Sequence, residues 1–332
     1  MILLMLIVLP SVVLSLFVKW DQNNGVGDRN CGLRYVPTNV MISYPIKCFK
    51  HRVYTNITID DIFGSFQWNG RPNIDTKIYK GLDAEFAESP WTVVLTTYHL
   101  FSQHYYQCTG ILINKRWIIT SAHCNYDNET KTIEYSWSRV RAGPNRDVMG
   151  WVHKKDMFIH PNFTMDWRKS READIALYKM NSDMNTTIYS SHYLINGVCL
   201  PTGDKPFNRH YDTATVFGWG LVSTNQLSDR LQKADIALTR QIGCYDREMM
   251  CSSGGHTNPD TRVCSGDSGA GLVQYIDSAR TRAILIGLMA TIVYGVGTSS
   301  DVCDETIASM AFVSIPRHIN WILQTIKNNS NT

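Results

Sequence analysis

From Ile78 onward the chain is a succession of short apolar runs divided by Gly, Pro and Asn, and this texture restricts the fold more than any other feature. The runs are Trp91–Thr97, Gly110–Ile113, Trp117–Ser121, Ile175–Met180, Thr213–Phe217, Gly271–Ile276 and Ala283–Val293. They are rich in residues that favour extended backbone, and many such strands joined by turns predict an all-β sandwich or barrel. Only the tail, Pro316–Asn328, has helical spacing. There Ile319, Ile322, Leu323 and Ile326 share one face, and Pro316 suits a first turn.

The 332 residues suffice for one large or two small domains with a sizeable core. Hydrophobic residues at 44% and charged residues at 18% give a globular balance. The net charge of +3 is dispersed with no basic block, so composition offers no case for nucleic acid as a partner. Residues 19–77 differ in texture, with many Asn, Asp, Gly and Pro and only short apolar runs such as Val40–Ile46.

Met1–Val18 is uncharged and almost wholly Leu, Ile, Val, Met or Phe. A cleaved secretory signal peptide is the favoured reading, although a charged leading region and a clean small-x-small cleavage site are missing. An uncleaved anchor is the alternative, since the stretch is just long enough to span a bilayer. No later segment is, so no stable span is expected after signal removal. N-x-Ser/Thr sequons at Asn56, Asn128, Asn162, Asn185 and Asn328 support export and surface glycosylation. The nine cysteines show no zinc-like spacing, so disulfides are expected, with one cysteine left over or bonded to another chain.

Three segments carry candidate chemistry: Thr120-Ser-Ala-His-Cys124, Ala173-Asp-Ile-Ala-Leu177 and Cys264-Ser-Gly-Asp-Ser-Gly-Ala-Gly271. Each alone has a bland reading as a structural His, a turn Asp or an ordinary glycine turn. Together, in this order, they resemble the trypsin/chymotrypsin family of serine peptidases. The Gly218-Trp-Gly220 turn, Val198-Cys-Leu-Pro201 and the tail with Ile319-Asn-Trp-Ile322 extend the resemblance over roughly Ile78–Asn328. It implies two perpendicular six-stranded β-barrels with a C-terminal helix and a site in the cleft between them. It also implies a triad of His123, Asp174 and Ser268, with the backbone N–H groups of Gly266 and Ser268 as the oxyanion hole. The residue types suit acyl transfer. A serine hydroxyl is a poor nucleophile without an adjacent base, and an imidazole titrates near neutral pH.

The resemblance further implies a zymogen, with a signal peptide over 1–18, a propeptide over 19–77 and a peptidase domain over 78–332. Lys77-Ile78-Tyr79-Lys80-Gly81 stands where an activating trypsin-like protease would cut, after Lys77. The new Ile78 ammonium would then pair with Asp267. Tyr79 and Lys80 depart from the small residues usual there, and the alternative is that Lys77 is an ordinary surface lysine. Implied disulfides are Cys108–Cys124, Cys264–Cys303 and Cys244–Cys251, with Cys199 tethered to Cys31 or Cys48. One family disulfide is missing at both ends, where Ala214 and Gln274 stand. No cofactor motif occurs, and the region between Gly143 and Val152 lacks a carboxylate set for calcium, so neither cofactor nor metal is expected.

The substrate pocket departs from the family. Arg262 stands where trypsin-like members carry an acidic residue, so basic side chains would be repelled and acidic ones favoured, unless Arg262 fills the pocket or turns to solvent. Ala290-Thr291-Ile292 replaces a Ser-Trp-Gly segment, so Asp174 loses a hydroxyl partner and Ile292 takes the place of a bare glycine. Met310 or Ser309 falls where a second pocket glycine is usual. The expectation is a secreted endopeptidase of non-tryptic specificity acting on proteins or peptides, with a protein inhibitor as a further partner. The alternatives are a pocket-occluded homologue that binds or regulates, and a narrow cascade protease. A lipase or esterase is disfavoured, because its triad order would be Ser, Asp, His.

Overall fold

The computed structural model describes residues 78–85, 87–98, 105–127, 132–133, 137–142, 147–164, 171–184, 195–201, 213–223, 226–227, 230–238, 249–264, 266–276, 280, 282–294 and 307–330. The expected signal peptide, propeptide and Lys77 lie outside them. So do Cys31, Cys48, Cys244 and Cys303, and the sequons at Asn56, Asn128 and Asn185.

In chain order the first ten strands are β1 (Leu82–Asp83), β2 (Thr92–Tyr98), β3 (Tyr105–Leu112), β4 (Trp117–Thr120), β5 (Tyr126–Asp127), β6 (Thr132–Ile133), β7 (Trp137–Ala142), β8 (Asp147–His153), β9 (Met157–Ile159) and β10 (Ala176–Lys179). They are followed by β11 (Thr213–Gly218), β12 (Leu221–Ser223), β13 (Gln226–Leu227), β14 (Gln232–Ala237), β15 (Met250–Ser252), β16 (Gly271–Tyr275), β17 (Ala283–Tyr294) and β18 (Ile307–Ser314). One α-helix, Ile315–Asn329, follows β18 and buries Ile315, Ile319, Ile322 and Ile326.

Two antiparallel sheets curl into barrel-like halves. The first has the order β8-β7-β2-β3-β4-β10-β9 and the second β1-β14-β11-β16-β17-β18-β15. Each has seven strands rather than six, for two different reasons. In the first, β8 and β9 are one run of chain broken by the 3-10 turn Lys154–Asp156, and they stand at opposite edges, so this run joins the edges. In the second, the additional strand is the two-residue β1, in which Leu82 and Asp83 pair with Lys233 and Gln232 of β14. Curling a sheet onto itself removes the exposed edges that would invite association.

Sequence patterning explains the strands that composition does not advertise. In β7 and β14 the residues alternate between buried and partly exposed, the mark of a half-buried strand. β4 and β10 are buried at every position, apolar but for Thr120 and Lys179 at their ends. The halves meet closely: a Cβ on Gly271 of β16 would lie 2.7 Å from side-chain atoms of Ile111 on β3. The antiparallel register that pairs Thr215 with Val273 sets Ala214 beside Gln274, whose Nε2 donates to the Thr213 carbonyl at 3.1 Å. The two positions that jointly lack cysteine are therefore neighbours, as a lost disulfide requires.

Candidate active site

His123 lies in the 3-10 turn Ala122–Asn125 that follows β4, and Asp174 follows the turn Arg171–Ala173 that leads into β10. Because β4 and β10 are paired, Thr120 with Ala176, the end of β4 and the start of β10 lie side by side. Cys108–Cys124 fastens the His turn to β3, with the sulfurs bonded as expected. Ser268 comes from the second half, in the loop before β16.

The three side chains are in line. His123 Nδ1 lies 2.6 Å from Asp174 Oδ2, and Nε2 lies 2.8 Å from Ser268 Oγ. A carboxylate only accepts, so in the neutral ring Nδ1 carries the proton and Nε2 is left to accept the serine hydroxyl. Asp174 is buried and its Oδ1 accepts the His123 backbone N–H at 2.9 Å. Burial disfavours charge on His123, but the charge of Asp174 and its hydrogen bond outweigh this and hold the imidazole pKa above its ordinary 6.5.

The oxyanion candidates are Gly266 and Ser268, whose backbone N–H groups meet no acceptor among the described residues. Gly266 has φ of 90°, a left-handed conformation that glycine adopts without strain. Asp267 between them is fully buried, and its carboxylate accepts the N–H of Gly220 at 2.8 Å and of Cys264 at 2.8 Å. Desolvation pushes its pKa up to about 7 despite these two bonds. A Cβ at Gly218 or Gly220 would meet the Asp267 carboxylate at 2.1 or 2.5 Å, so the Gly-Trp-Gly turn is what makes room for it.

The segment after Lys77 is fastened to the second half. Ile78 is buried in that half's apolar cluster, and Arg262 N–H donates to the Tyr79 carbonyl at 3.0 Å. Lys80 pairs with Asp260 at 2.8 Å and Lys233 with the buried Glu88 at 2.7 Å. In the uncut chain the Ile78 nitrogen is an uncharged amide.

Arg262, read from sequence as a cation at the pocket base, is only 8% exposed. Its Nε donates to the Ile307 carbonyl at 2.6 Å, and an Nη donates to the carbonyls of Thr261, at 2.9 Å, and Pro259. Met310, not Ser309, is turned fully into the interior, its sulfur 3.2 Å from the Val263 nitrogen. Ile292 is its cross-strand partner and packs against the same cluster. Ala290 offers Asp174 no hydroxyl. Ser121 Oγ from the first half donates instead to the Met289 carbonyl at 2.7 Å.

Of the expected disulfide cysteines, Cys199, Cys251 and Cys264 are also disulfide-bonded, and their expected partners lie outside the described residues. Asn162 and Asn328 are exposed, as glycan acceptors must be. Among the described residues no three His, Cys, Asp or Glu side chains are grouped to hold a metal ion, and no helix is long and apolar enough to cross a membrane. Sequence reasoning missed Thr109 and Gln107 of β3, which reach across to the Ser268 loop and the Gly-Trp-Gly turn. Neither belongs to the three motif segments, and only the packing of the halves brings them there.

Comparison with known proteins identifies the family. Residues 78–322 match the Trypsin family model. The chain is 25% identical over 276 residues to kallikrein-1E2 of Equus caballus, covering 78% of this chain and 93% of that protein. It is 26% identical over 278 residues to CLIP domain-containing serine protease B4 of Anopheles gambiae, covering 75% and 70%. With serine protease grass of Drosophila melanogaster it shares 23% identity over 303 residues, covering 85% and 76%. The chain belongs to the trypsin family and is a serine-type endopeptidase.

Proposed function

We propose that this protein is a secreted, zymogen-derived endopeptidase that cleaves peptide bonds through an acyl-enzyme on Ser268. The observation that carries this reading is the position of His123 between Asp174 and Ser268, at 2.6 and 2.8 Å. His123 takes the Ser268 proton as Oγ attacks the scissile carbonyl, and returns it to the leaving amine. Asp174 holds the tautomer and balances the imidazolium. The N–H groups of Gly266 and Ser268 receive the charge that develops on the carbonyl oxygen. Water then repeats the sequence on the acyl-enzyme and releases Ser268.

Activation is cleavage after Lys77 by a trypsin-like protease. The buried Asp267 supports this, because its carboxylate has two N–H donors but no cation within the described residues. A buried carboxylate is costly without a counter-charge, and the Ile78 ammonium would supply one. Ile78 has φ of 52°, a strained conformation for a β-branched residue, and cutting the bond before it removes that constraint.

Specificity is not trypsin-like. Met310 and Ile292 fill the floor where a substrate side chain would enter, and Arg262 is engaged by backbone carbonyls as a strut. This packing favours substrates with a small residue before the scissile bond over the acidic ones that Arg262 alone would suggest. The same packing favours a second reading, a protease homologue that binds partners with little turnover.

An unbiased peptide library offered to the protein cut after Lys77 separates these. Turnover restricted to small residues and lost in Ser268→Ala supports the proposal. A preference for Asp or Glu would return Arg262 to the pocket, and no turnover of any peptide would favour the binding reading.

A further inference from the structure

We infer that Thr109 is a positioning residue for the oxyanion loop, acting from the first half of the molecule on a loop that belongs to the second. The inference rests on the peptidase reading above. Thr109 is 0% exposed and stands on β3 next to Cys108 of the Cys108–Cys124 disulfide, so its own place is firmly set. Every polar group it has is used. Its N–H donates to the Ser268 carbonyl at 2.9 Å, and its carbonyl accepts Thr120 Oγ1 at 2.8 Å. Its hydroxyl donates to the Gly266 carbonyl at 3.1 Å and accepts the Trp219 N–H at 3.2 Å.

Gln107, two residues earlier and so on the same face of β3, donates Nε2 to the Trp219 carbonyl at 3.1 Å. Both backbone groups of Trp219 are thereby gripped by β3. The next residue, Gly220, donates its N–H to Asp267. One hydroxyl thus joins β3, the Gly-Trp-Gly turn and the loop that presents the Gly266 and Ser268 N–H groups.

The loop needs such a tether. Gly266 has the widest conformational freedom of any residue and is held at a positive φ, and its neighbouring N–H groups act only if aimed at one point. A hydrogen bond to the Gly266 carbonyl fixes the peptide that follows it. Valine at position 109 keeps the size of threonine but removes both the donor and the acceptor. Serine keeps both.

The test is the rate at which a fluorophosphonate labels Ser268 in protein cut after Lys77, measured over a range of probe concentrations. In Thr109→Val the maximal labelling rate should fall about 10-fold, less than the loss of a whole oxyanion donor, with the half-saturating probe concentration unchanged. Thr109→Ser should recover the rate to within about threefold. A purely structural role would instead move thermal stability in both variants and leave the maximal rate alone. Equal maximal rates for wild type and Thr109→Val, or a serine variant no better than the valine one, would overturn the inference and leave the peptidase reading standing. No labelling of cut, folded wild type would overturn both.

Discussion

The two halves of this molecule bring different kinds of residue to the candidate site. In the first, His123 and Asp174 are bonded to each other, and Asp174 also takes the His123 backbone N–H. In the second, the positions expected from sequence to border the substrate side chain are apolar: Met310 is wholly buried and Ile292 is its cross-strand partner. Asp267, the buried carboxylate next to Ser268, is held by two backbone N–H groups. On the proposed reading, bond-breaking draws on groups from both halves, whereas side-chain recognition rests on the packing of the second. The former tolerates little change, because each member must match the next in proton and distance. The latter is a packing problem and can be re-solved with methionine and isoleucine.

Predictions that break or sharpen this contrast differ widely in size. Asp174→Asn should lower turnover about 10⁴-fold, since an amide would favour the wrong imidazole tautomer; kcat on any substrate from the peptide library reads it. Met310→Ala belongs to the packing half. It should cost about 2–5 kcal/mol in unfolding free energy and raise kcat/KM for bulky apolar residues before the scissile bond by about 10-fold or more. Unchanged specificity in that variant would mean that the pocket floor is elsewhere.

The pH responses of the halves should separate as well. Asp267 has a raised folded pKa, so the folded uncut protein binds its proton more tightly than the unfolded chain does. Its contribution is therefore full below about pH 4 and is lost as pH rises through about 7. Denaturant unfolding of the uncut protein should show this loss, and Asp267→Asn should flatten it. His123 must be neutral to act, and its pKa is raised, so kcat/KM should fall as pH drops through a value above 6.5. Ala290→Ser should have the smallest effect. It would offer Asp174 a hydroxyl and change kcat by about threefold at most, because Asp174 is already positioned by the His123 N–H.

Much of this was legible in the sequence because the family's motifs are local. Thr120–Cys124, Ala173–Leu177 and Cys264–Gly271 each carry their chemistry within a few residues, and the structure brings His123, Asp174 and Ser268 together. Apolar strands such as β4 and β10 were visible for the same reason. The alternating strands β7 and β14, with Arg139 and Arg141 or Lys233 and Asp235 on their partly exposed faces, give no continuous apolar run and are not visible as strands from composition. Arg262 was read by charge and position, but where its guanidinium points depends on the carbonyls of Pro259, Thr261 and Ile307, the last far away in sequence. Thr109 was silent because a threonine in a strand is ordinary until the other half packs against it.

On the proposed mechanism Ser268 is reactive only while His123 and the oxyanion N–H groups act on it together. A fluorophosphonate, which reacts with activated serines, tests it directly, with the labelled residue mapped by mass spectrometry. Labelling is expected at Ser268 once the chain is cut after Lys77, and none in His123→Ala. A folded protein with a confirmed Ile78 terminus and an unlabelled Ser268 would contradict it.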